Sequence, residues 1–218
     1  MGLDLNNRKN STYLVLGIGL GFLVIIMISQ LANQPSLEAQ KITEQRDNKD
    51  LAYRNSPDSP IPLEIRKKFT GLAYFPIQDE YRTEAELIKL ETPDTVQLLR
   101  TRGIGEPEDK MVRVGKLRFN LQGQLRELTA FGYLDPELRR YFVPFRDRTS
   151  GESTYGGGRY LEVPIEDPLT LDFNLAYNPD CAYNENTSCP IPPRENFLDL
   201  EVRAGELDFP YAHSPSKD

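Results

Sequence analysis

The chain has 218 residues, 39% hydrophobic and 27% charged, a balance suited to one folded core rather than to disorder. Its net charge is −7, and the first 34 residues hold only Asp4, Arg8 and Lys9 as charges, so acids outnumber bases in the remainder. That argues against nucleic acid as a partner, because such binding needs clustered Lys and Arg to displace counterions. The single histidine, His213, lies in a polar stretch (211–218) that reads as a flexible tail; Ser-His-Asp and Cys-His hydrolases and zinc centres are disfavoured accordingly. No metal and no cofactor is expected.

Residues 1–12 read as a cytoplasmic tail. Residues 13–31 (YLVLGIGLGFLVIIMISQL) are uncharged and almost wholly apolar, and at about 1.5 Å per residue a helix of this length approaches the ~30 Å of a bilayer core. The alternative is a cleaved signal peptide. The run is longer than a usual signal core, and no small-x-small cleavage pair follows it, so the expectation is an uncleaved single-pass anchor. Arg8 and Lys9 precede the span closely, whereas Lys41 and Arg46 lie well beyond it. The positive-inside rule then places the main domain outside the cytoplasm. Gly17 and Gly21 form a GxxxG that would suit helix pairing, although glycine is common in membrane helices; a homo-oligomer has no further support.

Residues 32–62 read as a stalk or linker. Pro35-Ser36 resembles a helix start, the following stretch to Arg54 is polar, and Arg46 and Asp50 are spaced i,i+4. The run SPDSPIP (56–62) then breaks the chain, and the globular domain is expected over residues 63–210. There, strand signals recur at 81–90, 95–101, 111–121, 124–133, 141–145, 160–165, 169–174 and 197–203. Leu117, Phe119 and Leu121 alternate with Lys116, Arg118 and Asn120, and Gln122-Gly123 sits where a hairpin turns. Short strands at this spacing predict a mainly β fold, an antiparallel β-sandwich or barrel-like domain.

Unusual residues gather between Pro144 and Glu206. The blocks PFRD-TSG, TYGGGRYL, LDFNLAYNP, CAYN, CPIPP-EN and AGE, with FTGLAYFP upstream, closely resemble the domain-of-unknown-function family numbered 1684. The resemblance spans roughly residues 44–206. It implies a shared fold and a shared site, without naming a reaction.

The same residues carry a physical reading. Alternation in residues 171–178 puts Leu171, Phe173, Leu175 and Tyr177 on one face; Asp172, Asn174 and Asn178 share the other if the strand runs that far. Such a polar row lines a pocket, meets solvent or bonds local backbone. Gly156-Gly157-Gly158 before Arg159 suits either an anion cradle or a tight turn, and it lacks the GK[ST] and helix of a P-loop. Arg159 needs a carboxylate if buried, with Asp147, Asp172 and Glu195 as candidates. Cys181 and Cys189 are the only cysteines; in an exported domain the direct reading is a disulfide, with a thiol or metal pair as the alternative.

Three functions remain open. In the first, Arg159, Tyr160, Asp172, Asn174, Tyr177, Asn178 and Asn196 bind a small polar ligand, with Tyr155 as a further stacking candidate, in a pocket formed by the TYGGGRY, LDFNLAYNP and CPIPPREN segments. In the second, Asp172 and Glu195 act as acid and base of a hydrolase, with Arg159 stabilising developing charge. In the third, the blocks form a rigid platform for a protein partner.

Overall fold

The computed structural model describes residues 35–102 and 110–210. The expected anchor (13–31), the cytoplasmic tail and the C-terminal tail (211–218) lie outside the described residues; among those described, no helix is long and apolar enough to cross a membrane.

Helix α1 (Leu37–Asn55) starts where its sequence suggests, the Ser36 hydroxyl accepting the Ala39 N–H at 3.1 Å. Ile42 is its one buried side chain. The compact unit that contains the sheet begins at Ile42, not near Leu63, so most of the expected stalk belongs to the domain. Polar bonds hold it there. The Arg46 guanidinium donates to Phe75 O at 3.1 Å and to Asn174 O at 3.0 Å. Asp50 Oδ1 accepts the Leu72 N–H at 3.0 Å, and Arg54 donates to Thr70 O at 3.0 Å. A polar helix thus docks by satisfying loop backbone that would otherwise need water. Arg66, at the end of the short helix α2 (Leu63–Arg66), fixes the SPDSPIP turn in the same way, donating to Ser56 O, Ser59 O and Ile61 O at 2.6–2.9 Å.

Six strands form one antiparallel sheet in the order β5-β4-β3-β2-β1-β6: β1 (Arg82–Gln97), β2 (Lys110–Leu121), β3 (Gln124–Tyr133), β4 (Arg140–Asp147), β5 (Arg159–Pro164) and β6 (Leu169–Asp172). The sheet nearly closes into a barrel. Just past β6, Tyr177 exchanges two backbone hydrogen bonds with Tyr160 of β5, at 2.9 and 3.0 Å. β2 and β3 turn at Gln122 and Gly123; Gly123 takes positive φ as the hairpin reading expects, and Gln122 adopts it as well. Leu117, Phe119 and Leu121 point inward onto Leu128, Val143, Phe145, Leu161, Leu171 and Phe173. A second buried cluster joins Met111, Phe131, Phe142 and Tyr160 to Leu98 and the two cysteines.

Four of the expected strands differ. The segments 81–90 and 95–101 are one long strand, β1, whose register against β2 slips between Lys89 and Asp94; the irregularity takes in Pro93, which has no N–H to give a ladder. β6 ends at Asp172 because its carboxylate accepts the Asn174 N–H at 3.0 Å and starts a 3₁₀ turn (Phe173–Leu175). The last strand, β7 (Phe197–Leu198), pairs parallel to β4 and is short. Carbonyls farther along, at Val202 and Ala204, bond to Arg159 instead of to a neighbouring strand.

β3 and β4 pair directly at Phe131–Phe142 and Gly132–Tyr141. Beyond that, Asn196 bridges them: its amide nitrogen donates to Thr129 O (2.9 Å) and Pro144 O (2.8 Å), and its oxygen accepts the Thr129 N–H (2.7 Å). Because each buried partner left unsatisfied costs about 1–3 kcal/mol, Asn196→Ala is expected to lower unfolding stability by about 3 kcal/mol or more, read from the urea midpoint at unchanged slope.

Candidate functional site

The motif residues fall into two groups, those that lock the chain and those that border open space. Arg159 belongs to the first. It is 0% exposed, donates to Asp147 at 2.7 Å and Val202 O at 2.9 Å, reaches the Ala204 carbonyl, and lies 5.4 Å from the Phe145 ring centroid. Asp147, equally buried, also accepts from Thr149 through both backbone (2.6 Å) and hydroxyl (2.5 Å). Burial lowers the Arg159 guanidinium from its ordinary range, and Asp147 opposes that shift. The preceding glycines serve a turn. At Gly158 φ is +94°, and a Cβ would stand 2.6 Å from Phe145 O, so no other residue fits.

Asp172 and Asn174 are also committed internally. The Asp172 carboxylate accepts from Asn174 and pairs with Arg82 at 3.2 Å. The Asn174 amide meets both backbone groups of Gln78, at 2.9 and 3.0 Å. Asn178 donates to Leu207 O at 2.8 Å. Glu195 sits exposed on a 3₁₀ turn (Arg194–Asn196) before β7. Among the described residues no hydrogen bond joins Asp172 to Glu195, and the cavity that Glu195 lines does not include Asp172.

Sequence reading missed one cluster. Glu206, almost wholly buried, accepts the Asn178 N–H at 2.9 Å and the Tyr183 hydroxyl, and pairs with Lys49 of α1. The Lys49 ammonium stands 5.1 Å from the ring centroids of Tyr53 and Tyr177 and 5.9 Å from that of Tyr183. Burial and the Glu206 charge push the Tyr183 hydroxyl well above its ordinary range, so it stays a donor. The AGE block flagged Glu206, but nothing in the spacing of α1 pointed to Lys49. A hollow of about 150 Å³ borders this pair, with Asn174 and Tyr177 in its wall.

Tyr160 and Tyr177 belong to the second group. They line a cavity of about 330 Å³ with Tyr133 and Phe142. The rings meet edge to face: Phe142–Tyr160 at 4.8 Å and Tyr160–Tyr177 at 5.7 Å between centroids. Glu162 holds the phenols, accepting from Tyr133 at 2.5 Å and Tyr177 at 3.1 Å, while Arg140 pairs with it at 3.1 Å. Arg100, Lys110 and Asp180 border the same space. Cys189 forms part of the wall; it and Cys181 are free thiols in this structure rather than the expected disulfide, the Cys181 N–H donating to Cys189 Sγ at 3.1 Å. The Cys189 side chain, with the Tyr155 hydroxyl 3.6 Å away, holds the Cys181 thiol below its ordinary range against burial.

A nearly closed, mainly antiparallel barrel with an aromatic-walled cavity defines the class of protein. The chain belongs to the family described as Protein of unknown function (DUF1684), whose pattern matches residues 67–207, a span that includes Glu206 but not Lys49. It is similar to an uncharacterised protein of Haloarcula marismortui whose structure was solved in solution by NMR. The two are 42% identical over 77% of this chain and 92% of that one, with a TM-score of 0.62. No curated protein matches the chain.

Proposed function

We propose that the domain binds a small polar ligand in the cavity walled by Tyr133, Phe142, Tyr160 and Tyr177. The observation that carries this reading is convergence. TYGGGRY contributes Tyr160, LDFNLAYNP contributes Tyr177 and Pro179, and CPIPPREN contributes Cys189 and Pro190 to one space of about 330 Å³, within the range usual for small-molecule sites. Arg100 and Lys110 offer positive charge and Glu162 and Asp180 negative charge around the rings, which suits a ligand carrying both signs, such as a small zwitterion. Arg159, Asp172, Asn174, Asn178 and Asn196 serve this site by fixing the segments that present the tyrosines. The apolar residues 13–31 tether the domain outside the cytoplasm, an oxidising setting in which Cys181 and Cys189 are expected to close into a disulfide.

The test is NMR titration of the full chain in nanodiscs with a panel of small zwitterions, anions and cations. Zwitterions are expected to shift the Tyr160, Tyr177 and Lys110 resonances. Lys110→Gln combined with Asp180→Asn, both surface positions, is expected to weaken that binding about tenfold or more, through loss of charge-assisted contacts, at unchanged melting temperature. Shifts confined to other regions, or equal affinity in the double variant, would reject the assignment.

A further inference from the structure

A second and larger cavity, of about 730 Å³, opens between the end of β1, the start of β2, the end of β3, and residues 191–197. Its walls are mostly hydrocarbon, including Val96, Leu98, Leu99, Ile191, Pro192 and Phe197. Leu99 and Phe197 are 69% and 51% exposed, so apolar surface is open to solvent beside the cleft.

Arg146, the arginine of PFRD, is set into this surface. It is half-buried on β4, and its Nε donates to Gly157 O at a long 3.4 Å. Among the described residues its two terminal nitrogens make no hydrogen bond and no carboxylate pairs with it. The stem passes over Gly158 beside Pro192: Arg146 Cγ and Pro192 Cγ each lie 2.9 Å from where a Gly158 Cβ would stand. PFRD, YGGG and PIPP therefore meet around one arginine side chain. Arg113 and Arg194 border the same cavity, Arg113 also pairing with Asp94 at 3.1 Å. Glu195 is the one carboxylate among the lining residues described.

A partly desolvated guanidinium with unused donors beside an apolar wall is costly alone and favourable with an anion. Its planar fork matches a carboxylate through two parallel hydrogen bonds. We propose that this cleft is a separate binding site for an amphipathic monocarboxylate, with the carboxylate on Arg146 and the apolar body along Leu98, Leu99, Ile191 and Phe197. Arg113 and Arg194 make the mouth attractive to anions, outweighing Glu195. The site shares no lining residue with the tyrosine-walled cavity, so either assignment stands or falls without the other.

The experiment compares 4-phenylbutyrate, 4-phenylbutanol and 4-phenylbutylamine, three probes of one shape and different charge, by calorimetry and NMR on the full chain in nanodiscs, with empty nanodiscs subtracted. Phenylbutyrate is expected to bind at least about tenfold more tightly than the alcohol and more tightly still than the amine, shifting resonances of Leu99 and Phe197. Arg146→Met is expected to erase the preference for the acid while leaving alcohol binding in place, and Arg146→Lys to restore it in part. Phe197→Ser is expected to weaken all three together. Equal affinity for the three probes in the wild-type protein would overturn the proposal even if Arg146→Met failed to fold, as would an acid preference that survives Arg146→Met.

Discussion

Replacing Arg159 by Met is expected to remove most of the stability of the domain. The substitution keeps roughly the volume of the stem and deletes the charge, leaving Asp147, 2% exposed, as an uncompensated carboxylate. Breaking a buried pair in this way costs about 3–5 kcal/mol. The carbonyls of Val202 and Ala204 also lose their donor, at about 1–3 kcal/mol for each buried group left unsatisfied. Together these approach the whole stability of an ordinary domain, about 5–15 kcal/mol. Urea unfolding followed by tyrosine fluorescence should show a midpoint near zero denaturant or no cooperative transition. A midpoint close to the wild type would mean that Arg159 does not lock the C-terminal segment to β4 and β5.

The second large effect is expected at Glu206. Glu206→Gln removes the carboxylate that faces Lys49 and accepts from Tyr183 and Asn178. Lys49 has only a 23% exposed side chain and stands among three tyrosine rings; those rings alone are worth about 0.5–2 kcal/mol to a cation, less than the lost pair. We therefore expect a destabilisation of about 3 kcal/mol, concentrated in the docking of α1. Hydrogen exchange should show loss of protection in residues 46–55 before any loss in β2 and β3. Uniform loss across the barrel, or none in the helix, would contradict the role assigned to the pair.

These two expectations also show what the sequence reveals. The barrel interior is legible in β2, because Leu117, Phe119 and Leu121 need only a period of two and one buried face. The hairpin at Gln122-Gly123 is legible because positive φ has few suppliers. The unusual motif residues are visible as unusual, but their roles depend on where each strand stops. Asp172, Asn174 and Asn178 read as one polar row only if β6 continues; the Asp172 carboxylate ends it, and the three side chains go to different partners. A stretch as polar as α1 reads as solvated, whereas Arg46, Asp50 and Arg54 dock it on loop backbone. No local pattern joins Lys49 to Glu206 or gathers Arg100, Lys110 and Arg146 around cavities, since those meetings follow from the docking of α1 and from the fold of the sheet.

The central claim is that the motif segments build a binding cavity whose tyrosines contact a ligand while the buried polar residues hold the scaffold. Native mass spectrometry of the full chain, released gently from nanodiscs, tests it most directly. The wild type is predicted to carry a small-molecule adduct that disappears in the Lys110→Gln, Asp180→Asn double variant, with the charge-state distribution of both proteins unchanged. A bare mass in the wild type, or an adduct retained by the variant, would contradict the account.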